Sequence, residues 1–115
     1  MAVTLQTSGT QAMTVGTEHS LASITVTGAF TFEVDLSAMV AGDIVELRVY
    51  KIILTAGTKR LLYFAAYYGA QPTHDLTKVS VPIGNELADT NSLECSIKQT
   101  FGTSRSAPWK ILRYV

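Results

Sequence analysis

The chain has 115 residues, 47% of them hydrophobic and 16% charged, and its nine basic and nine acidic side chains leave no formal net charge. That length suits a single domain able to bury about 65% of its unfolded surface, and the balanced charge speaks against a nucleic-acid-binding stripe. One cysteine allows no intrachain disulfide and no apolar run approaches the ~20 residues of a membrane helix, so the expectation is cytoplasmic folding without export or membrane insertion.

Residues 1–17, MAVTLQTSGTQAMTVGT, carry no charged side chain, and Val3/Leu5 and Met13/Val15 alternate with polar neighbours. The segment reads as an extended N-terminal arm with one or two short strands, and 18–115 as the single domain behind it. It lacks the Lys or Glu residues that guard free strand edges. It therefore either starts its own sheet or adds a strand to a neighbouring subunit. Farther on, Ala22, Ile24 and Val26 share one face of a strand. After Gly28, Phe30, Phe32, Val34 and Leu36 share a face of the next, with Thr31, Glu33 and Asp35 opposite. The stretch LSAMVAGD, 36–43, predicts one helical turn capped by Ser37 and closed by Gly42-Asp43.

Residues 43–53 predict the clearest strand, with Val45, Leu47, Val49 and Ile53 in the core and Glu46 and Arg48 outside. Gly57 tips a hairpin loop, and the return strand, 60–68, is apolar on both faces. Leu61, Tyr63, Ala65 and Tyr67 oppose Leu62, Phe64, Ala66 and Tyr68. Such a strand is either central and covered on both sides or covered by a partner. A short strand follows at 78–83, ending near Pro82, then a polar loop at 84–91. Leu93, Cys95, Ile97 and Phe101 form the core face of another strand, 102–108 turns the chain, and 109–115 is the last strand. No segment sustains helical spacing, and 15 threonines favour pleated structure. The expected fold is all-β, an antiparallel β-sandwich of jelly-roll or immunoglobulin-like type with about seven to nine short strands.

Residue chemistry supplies no reactive constellation. His74-Asp75 in a loop could act as a general base, yet no nucleophile motif accompanies it, and His19 stands alone. Cys95 sits at core spacing, where a thiol is an inert small hydrophobe, and a whole chain with three Cys and His residues, the minimum for most zinc sites, speaks against zinc. Asn85, Glu86, Asp89 and Asn91 cluster oxygens without the calcium-loop pattern. The expectation is no enzyme, no cofactor and no metal. Tyr50, Tyr63, Tyr67, Tyr68, Trp109 and Tyr114 could instead form a sugar-stacking platform, although aromatics at strand spacing also serve cores and interfaces.

Charge is unevenly placed. Residues 1–47 hold five acids and no base, whereas 48–115 hold all nine bases and four acids. Either strands from the two halves neighbour each other and pair their charges, or an acidic face docks on a basic one. After Glu94 the chain has Lys98, Arg105, Lys110 and Arg113 and no acid, which suits an acidic partner or simple solvation of an edge. The candidate interface residues are Val3, Leu5, Met13, Val15, Tyr63, Tyr67, Tyr68, Arg105, Lys110 and Arg113.

Across residues 42–112 the motifs GD-x-VELR-x-Y, T-x-G-T-K-R and KQT-x-G-T-x-R…W-K-I-L resemble small proteins of tailed-bacteriophage structural gene clusters. The resemblance implies a virion protein folded in the host bacterial cytoplasm, and among such proteins a capsid decoration (cement) protein. Such a protein binds the major capsid protein and itself as a homo-oligomer. A head–tail connector, a tail component or a carbohydrate-binding module are the alternatives.

Overall fold

The alternation of apolar and polar residues is realised in nine strands of a computed structural model that describes residues 2–88 and 92–115. They are β1 (Val3–Ala12), β2 (Glu18–Ile24), β3 (Gly28–Asp35), β4 (Ile44–Ile52), β5 (Lys59–Tyr68), β6 (Thr77–Val79), β7 (Ile83–Asn85), β8 (Leu93–Phe101) and β9 (Ser106–Tyr114). Two antiparallel sheets result. The larger runs β1-β9-β3, with β6 and β7 both on the far side of β3, and the smaller runs β2-β8-β4-β5.

β6 and β7 are the halves of one interrupted strand. Pro82 has no N–H for a ladder, so pairing lapses between them. Ser80 bridges the gap: its N–H donates to the Phe32 carbonyl at 2.8 Å, and its hydroxyl accepts from the Phe32 N–H at 3.0 Å. With β6 and β7 counted together, four strands of the described residues stand in each sheet, and among them only β4 and β5 are both consecutive and paired. An immunoglobulin-like sandwich pairs several consecutive strands. The order found here is the nested Greek-key connectivity of a jelly roll.

The core lies between the sheets. Phe30, Phe32 and Val34 of β3, Val45 and Leu47 of β4, and Ile97 of β8 are buried there as their spacing predicts. Each such side chain contributes about 1.5–3 kcal/mol by leaving water. The charge halves are interleaved rather than opposed. Arg48–Glu46, Arg105–Asp43 and Lys110–Glu33 each join a base from 48–115 to an acid from 1–47.

Of the two readings of 1–17, the structure takes the one in which the segment starts its own sheet: β1 pairs with β9 from Val3 to Ala12, and Met13 is buried in the core. Several expectations are corrected. Residues 36–43 make two successive turns, Met39 N–H to Leu36 O and Asp43 N–H to Val40 O, instead of a helical turn. There Asp35, not Ser37, supplies the cap, accepting from the Ser37 N–H at 2.9 Å. Ile53 lies in the β4–β5 loop and is exposed, because the ladder ends at Ile52.

Phe101 leaves the core for a different reason. Val45 pairs with Gln99 but Ile44 pairs with Phe101, so Thr100 is an extra residue in β8. One inserted residue turns the following side chain to the other face. Gln99 takes the last inward position and is fully buried, with its amide bonded to the carbonyls of Phe101 and Thr103 and to the Arg105 N–H.

Candidate docking surface

The outer face of the smaller sheet divides into a polar half and an apolar half. On the polar half, Glu18 of β2 accepts from the Tyr50 hydroxyl and the Ser96 hydroxyl, each at 2.6 Å. Glu94 of β8 accepts from Ser20 at 2.9 Å and from the Lys59 ammonium at 2.6 Å. Burial pushes the Glu18 carboxyl up, but the Ser96 and Tyr50 hydrogen bonds and the charges of Arg48 and Lys98 outweigh it and hold the carboxyl below its ordinary value. Tyr50 is shifted upward by its burial and by Glu18. Arg48 reaches Glu46 at 2.7 Å and lies 5.1 Å above the Phe64 ring. Its Nη1 is buried without an acceptor.

The apolar half begins where those charges end. Ile44 stands in register with Tyr68 of β5 on one side and Phe101 of β8 on the other. Tyr68 is 70% exposed and Phe101 63%. Phe64 follows four residues back along β5 and is 47% exposed. Charged and polar side chains thus pair across the sheet from Glu18 of β2 to Lys59 of β5, while a row of aromatic and aliphatic groups crosses β8, β4 and β5 at the end of the sheet where β4 begins.

A buried ionic knot holds that row in place. The Asp43 side chain, just before β4, is only 2% exposed and accepts from Arg105 Nε at 2.7 Å. It also accepts from the Val40 N–H at 3.0 Å and the Thr103 N–H at 3.2 Å, and its carbonyl accepts from the Gly69 N–H at 2.8 Å. One residue therefore ties the β3–β4 loop to the residues following Tyr68 and Phe101. Gly102 makes this possible: its φ is +99°, and a Cβ there would run into the Asp43 carboxylate. Burial alone would raise the Asp43 carboxyl, yet the bonds from Val40, Arg105 and Thr103 hold it below the usual carboxylate range.

The residues singled out in the sequence are dispersed by the fold. Val3 and Leu5 are exposed on β1, and Val15 is exposed in the turn after it. Tyr63 and Tyr67 pack against the core from its margin, leaving Tyr68 as the member of that trio on the apolar row. Arg105 is committed to Asp43, Arg113 donates to the Thr27 carbonyl at 2.7 and 2.9 Å, and Lys110 lies 3.6 Å from Glu33. The six aromatics of the sugar-platform reading share no face. Trp109 packs over Gly9, where a Cβ would meet the ring at 3.2 Å, Tyr114 meets Thr31 on the larger sheet, and Tyr50 and Tyr68 lie on the smaller one.

The chemistry-bearing candidates are equally separated. His74 is exposed while the Asp75 carboxylate pairs with Lys78 at 2.9 Å, and His19 accepts from the Thr14 N–H at 3.0 Å. Cys95 is 2% exposed, and burial raises its thiol to about 12. Asn85 donates to the Val26 carbonyl and to Ser92, and Glu86 pairs with Lys51. Asp89 and Asn91 fall outside the described residues. No group of three potential metal-ligating side chains occurs among the described residues. Sequence reasoning missed Asp43, Gly102 and Gln99, whose partners are too far apart in the chain, or too much a matter of backbone, for a local motif to show.

Compared with protein-family models, with curated proteins and with solved structures, the chain has no match.

Proposed function

We propose that the protein is a structural assembly protein of a bacteriophage virion, acting as a capsid decoration subunit whose smaller sheet docks on the major capsid protein. The observation that carries this reading is the row Phe101–Ile44–Tyr68, continued by Phe64, in which the three aromatics are exposed and Ile44 is half-buried between them, on a sheet face whose other half carries paired charges. Aromatic side chains held in fixed positions are the residues that dominate protein–protein contacts. The row is braced from beneath by Asp43 and Arg105, so docking costs little ordering entropy. Jelly-roll sandwiches recur in capsid and lectin domains, an analogy that agrees with the reading. Repetition over a lattice would turn modest single contacts into firm attachment.

The bacteriophage assignment rests on the sequence resemblance over 42–112, and the docking reading rests on the surface. The experiment addresses the first directly: quantify the chain by mass spectrometry in purified virions of the phage or prophage that encodes it. A copy number comparable with the major capsid protein is expected. Complete virions without the chain would overturn the assignment, and a few copies per particle would place it at the connector or tail instead.

A further inference from the structure

We infer that the free edge of β5 pairs antiparallel with β5 of a second copy, about a two-fold axis at Ala65 or Ala66, merging two smaller sheets into one continuous eight-stranded sheet. β5 pairs on one side with β4, and no strand among the described residues pairs on its other side. A free edge offers alternate unpaired N–H and C=O groups to any extended chain. Natural sheets blunt such edges with charge, bulges or brevity, and the other edges of this sandwich are blunted. β6 has three residues, and β2 carries Glu18 and His19 with a register shift between Ser20 and Ala22. β1 shifts register between Leu5 and Thr7, and its regular remainder, Thr7–Ala12, is polar and includes Gly9. β5 is different. Its one extra residue, Leu62, lies near its start, and Tyr63–Tyr68 matches Val49–Ile44 one to one without a charged side chain.

The second copy is the occupant because this strand complements itself. Its regular run reads Tyr63-Phe64-Ala65-Ala66-Tyr67-Tyr68, two aromatics on each side of two alanines. A two-fold contact sets one surface against itself, so the pattern must make sense read in both directions. Inner faces must meet inner faces, which puts the axis at a residue and not between two, and Ala65 and Ala66 are the two that keep most of the regular run paired. At Ala65, Tyr63 lies opposite Tyr67 of the second copy and Phe64 opposite its Ala66. At Ala66, Phe64 lies opposite Tyr68 and Ala65 opposite Tyr67. Rings of one copy cover alanines or rings of the other in both registers.

Charge selects the direction. Lys59 and Arg60 both stand at the start of β5, so parallel pairing would set four cations side by side. Antiparallel pairing carries them to opposite ends, where each pair faces the second copy's 69–77 segment. That segment contains Asp75, 58% exposed at its side chain, and neither Lys nor Arg. The inference extends the reading of the chain as an assembly protein. Phe64 and Tyr68 of β5 belong both to this edge and to the docking row, so the two readings are separated by their readouts, self-association of the isolated chain here and binding to shells there.

The test is sedimentation equilibrium of the full chain over micromolar to millimolar concentration, with thiol cross-linking of Ala65→Cys and Ala66→Cys. Directly opposed Cβ atoms in an antiparallel pair lie about 4.5–5.5 Å apart, close to disulfide reach, and native Cys95 is too buried to compete. Expected results are a reversible dimer, at least about tenfold weaker association for Phe64→Lys, and rapid disulfide dimers from one of the two alanine variants. Thr10→Cys, exposed on β1, serves as control and should stay uncross-linked. A monomer throughout the range, with cross-linking no faster than the control, overturns the inference. So does a dimer indifferent to Phe64→Lys that fails to cross-link at Ala65 or Ala66. Should Phe64→Lys fail to fold, the cross-linking comparison decides alone.

Discussion

Replacing Asp43 with alanine removes the carboxylate at the centre of the ionic knot and leaves the Arg105 guanidinium, 2.7 Å away, without its acid. Three hydrogen bonds go with it, from Val40, Thr103 and Arg105. Removing one member of a fully buried pair costs about 3–5 kcal/mol, and because the Arg105 side chain is a quarter exposed the loss here falls at the lower end of that range. A domain of this size has about 5–15 kcal/mol in all, so the variant should lose a substantial share of its stability. Urea unfolding followed by Trp109 fluorescence measures the difference. The double variant Asp43→Ala/Arg105→Ala should lose less than the sum of the two single changes, since no unpaired guanidinium remains. A single-variant loss below about 1 kcal/mol would refute the account of the knot. The same pair sets a pH dependence. Its carboxyl titrates below the ordinary range when folded, so its contribution is complete above about pH 4 and vanishes as pH falls through the lower folded value. Wild type should therefore lose more stability than Asp43→Asn between neutral pH and pH 3.

Gly102→Ala should destabilise the fold by several kcal/mol by forcing Cβ against the Asp43 carboxylate at a positive φ; unchanged unfolding in urea would contradict that geometry. Met13→Ala should cost about 2–5 kcal/mol by the same measurement, since Met13 is core rather than interface, and a neutral effect would return the first 17 residues to the status of an arm. The Cys95 thiol should resist maleimide in the native protein and react on unfolding; prompt native labelling would contradict its burial. Docking should weaken little between low and molar salt, because the opposed charges of the two chain halves are paired within the subunit, and strong salt dependence would show that an electrically polar surface matters after all.

Period-two spacing located nearly every strand and the buried faces of β3, β4 and β8, because one buried face enforces register. It failed where one residue was inserted. Counting twos from Leu93 puts Phe101 inward, and the extra Thr100 turns it outward beside Ile44. No local signal marks such an insertion. Which strand lies at an edge is likewise a property of topology. β5 was legible as apolar on both faces, and only the sheet order shows that one side lacks a neighbour. The apolar row joins residues 44, 68 and 101, brought together by pairing across β8, β4 and β5, and its brace joins Asp43 to Arg105. Spacing along the chain carries no trace of either, although the Gly-Asp and Gly-Thr-Ser-Arg stretches, 42–43 and 102–105, hinted at two tight turns.

The most direct measurement of the central claim is co-sedimentation of the purified protein with shells assembled from the major capsid protein of the same gene cluster. Wild type should pellet with the shells and saturate them. Tyr68→Lys and Phe101→Lys, folded by circular dichroism, should stay in the supernatant, while Val3→Lys on the distant β1 edge should pellet like wild type. Equal pelleting of all four proteins would contradict the assignment of the docking face, and a wild-type protein that never pellets would contradict the decoration role itself.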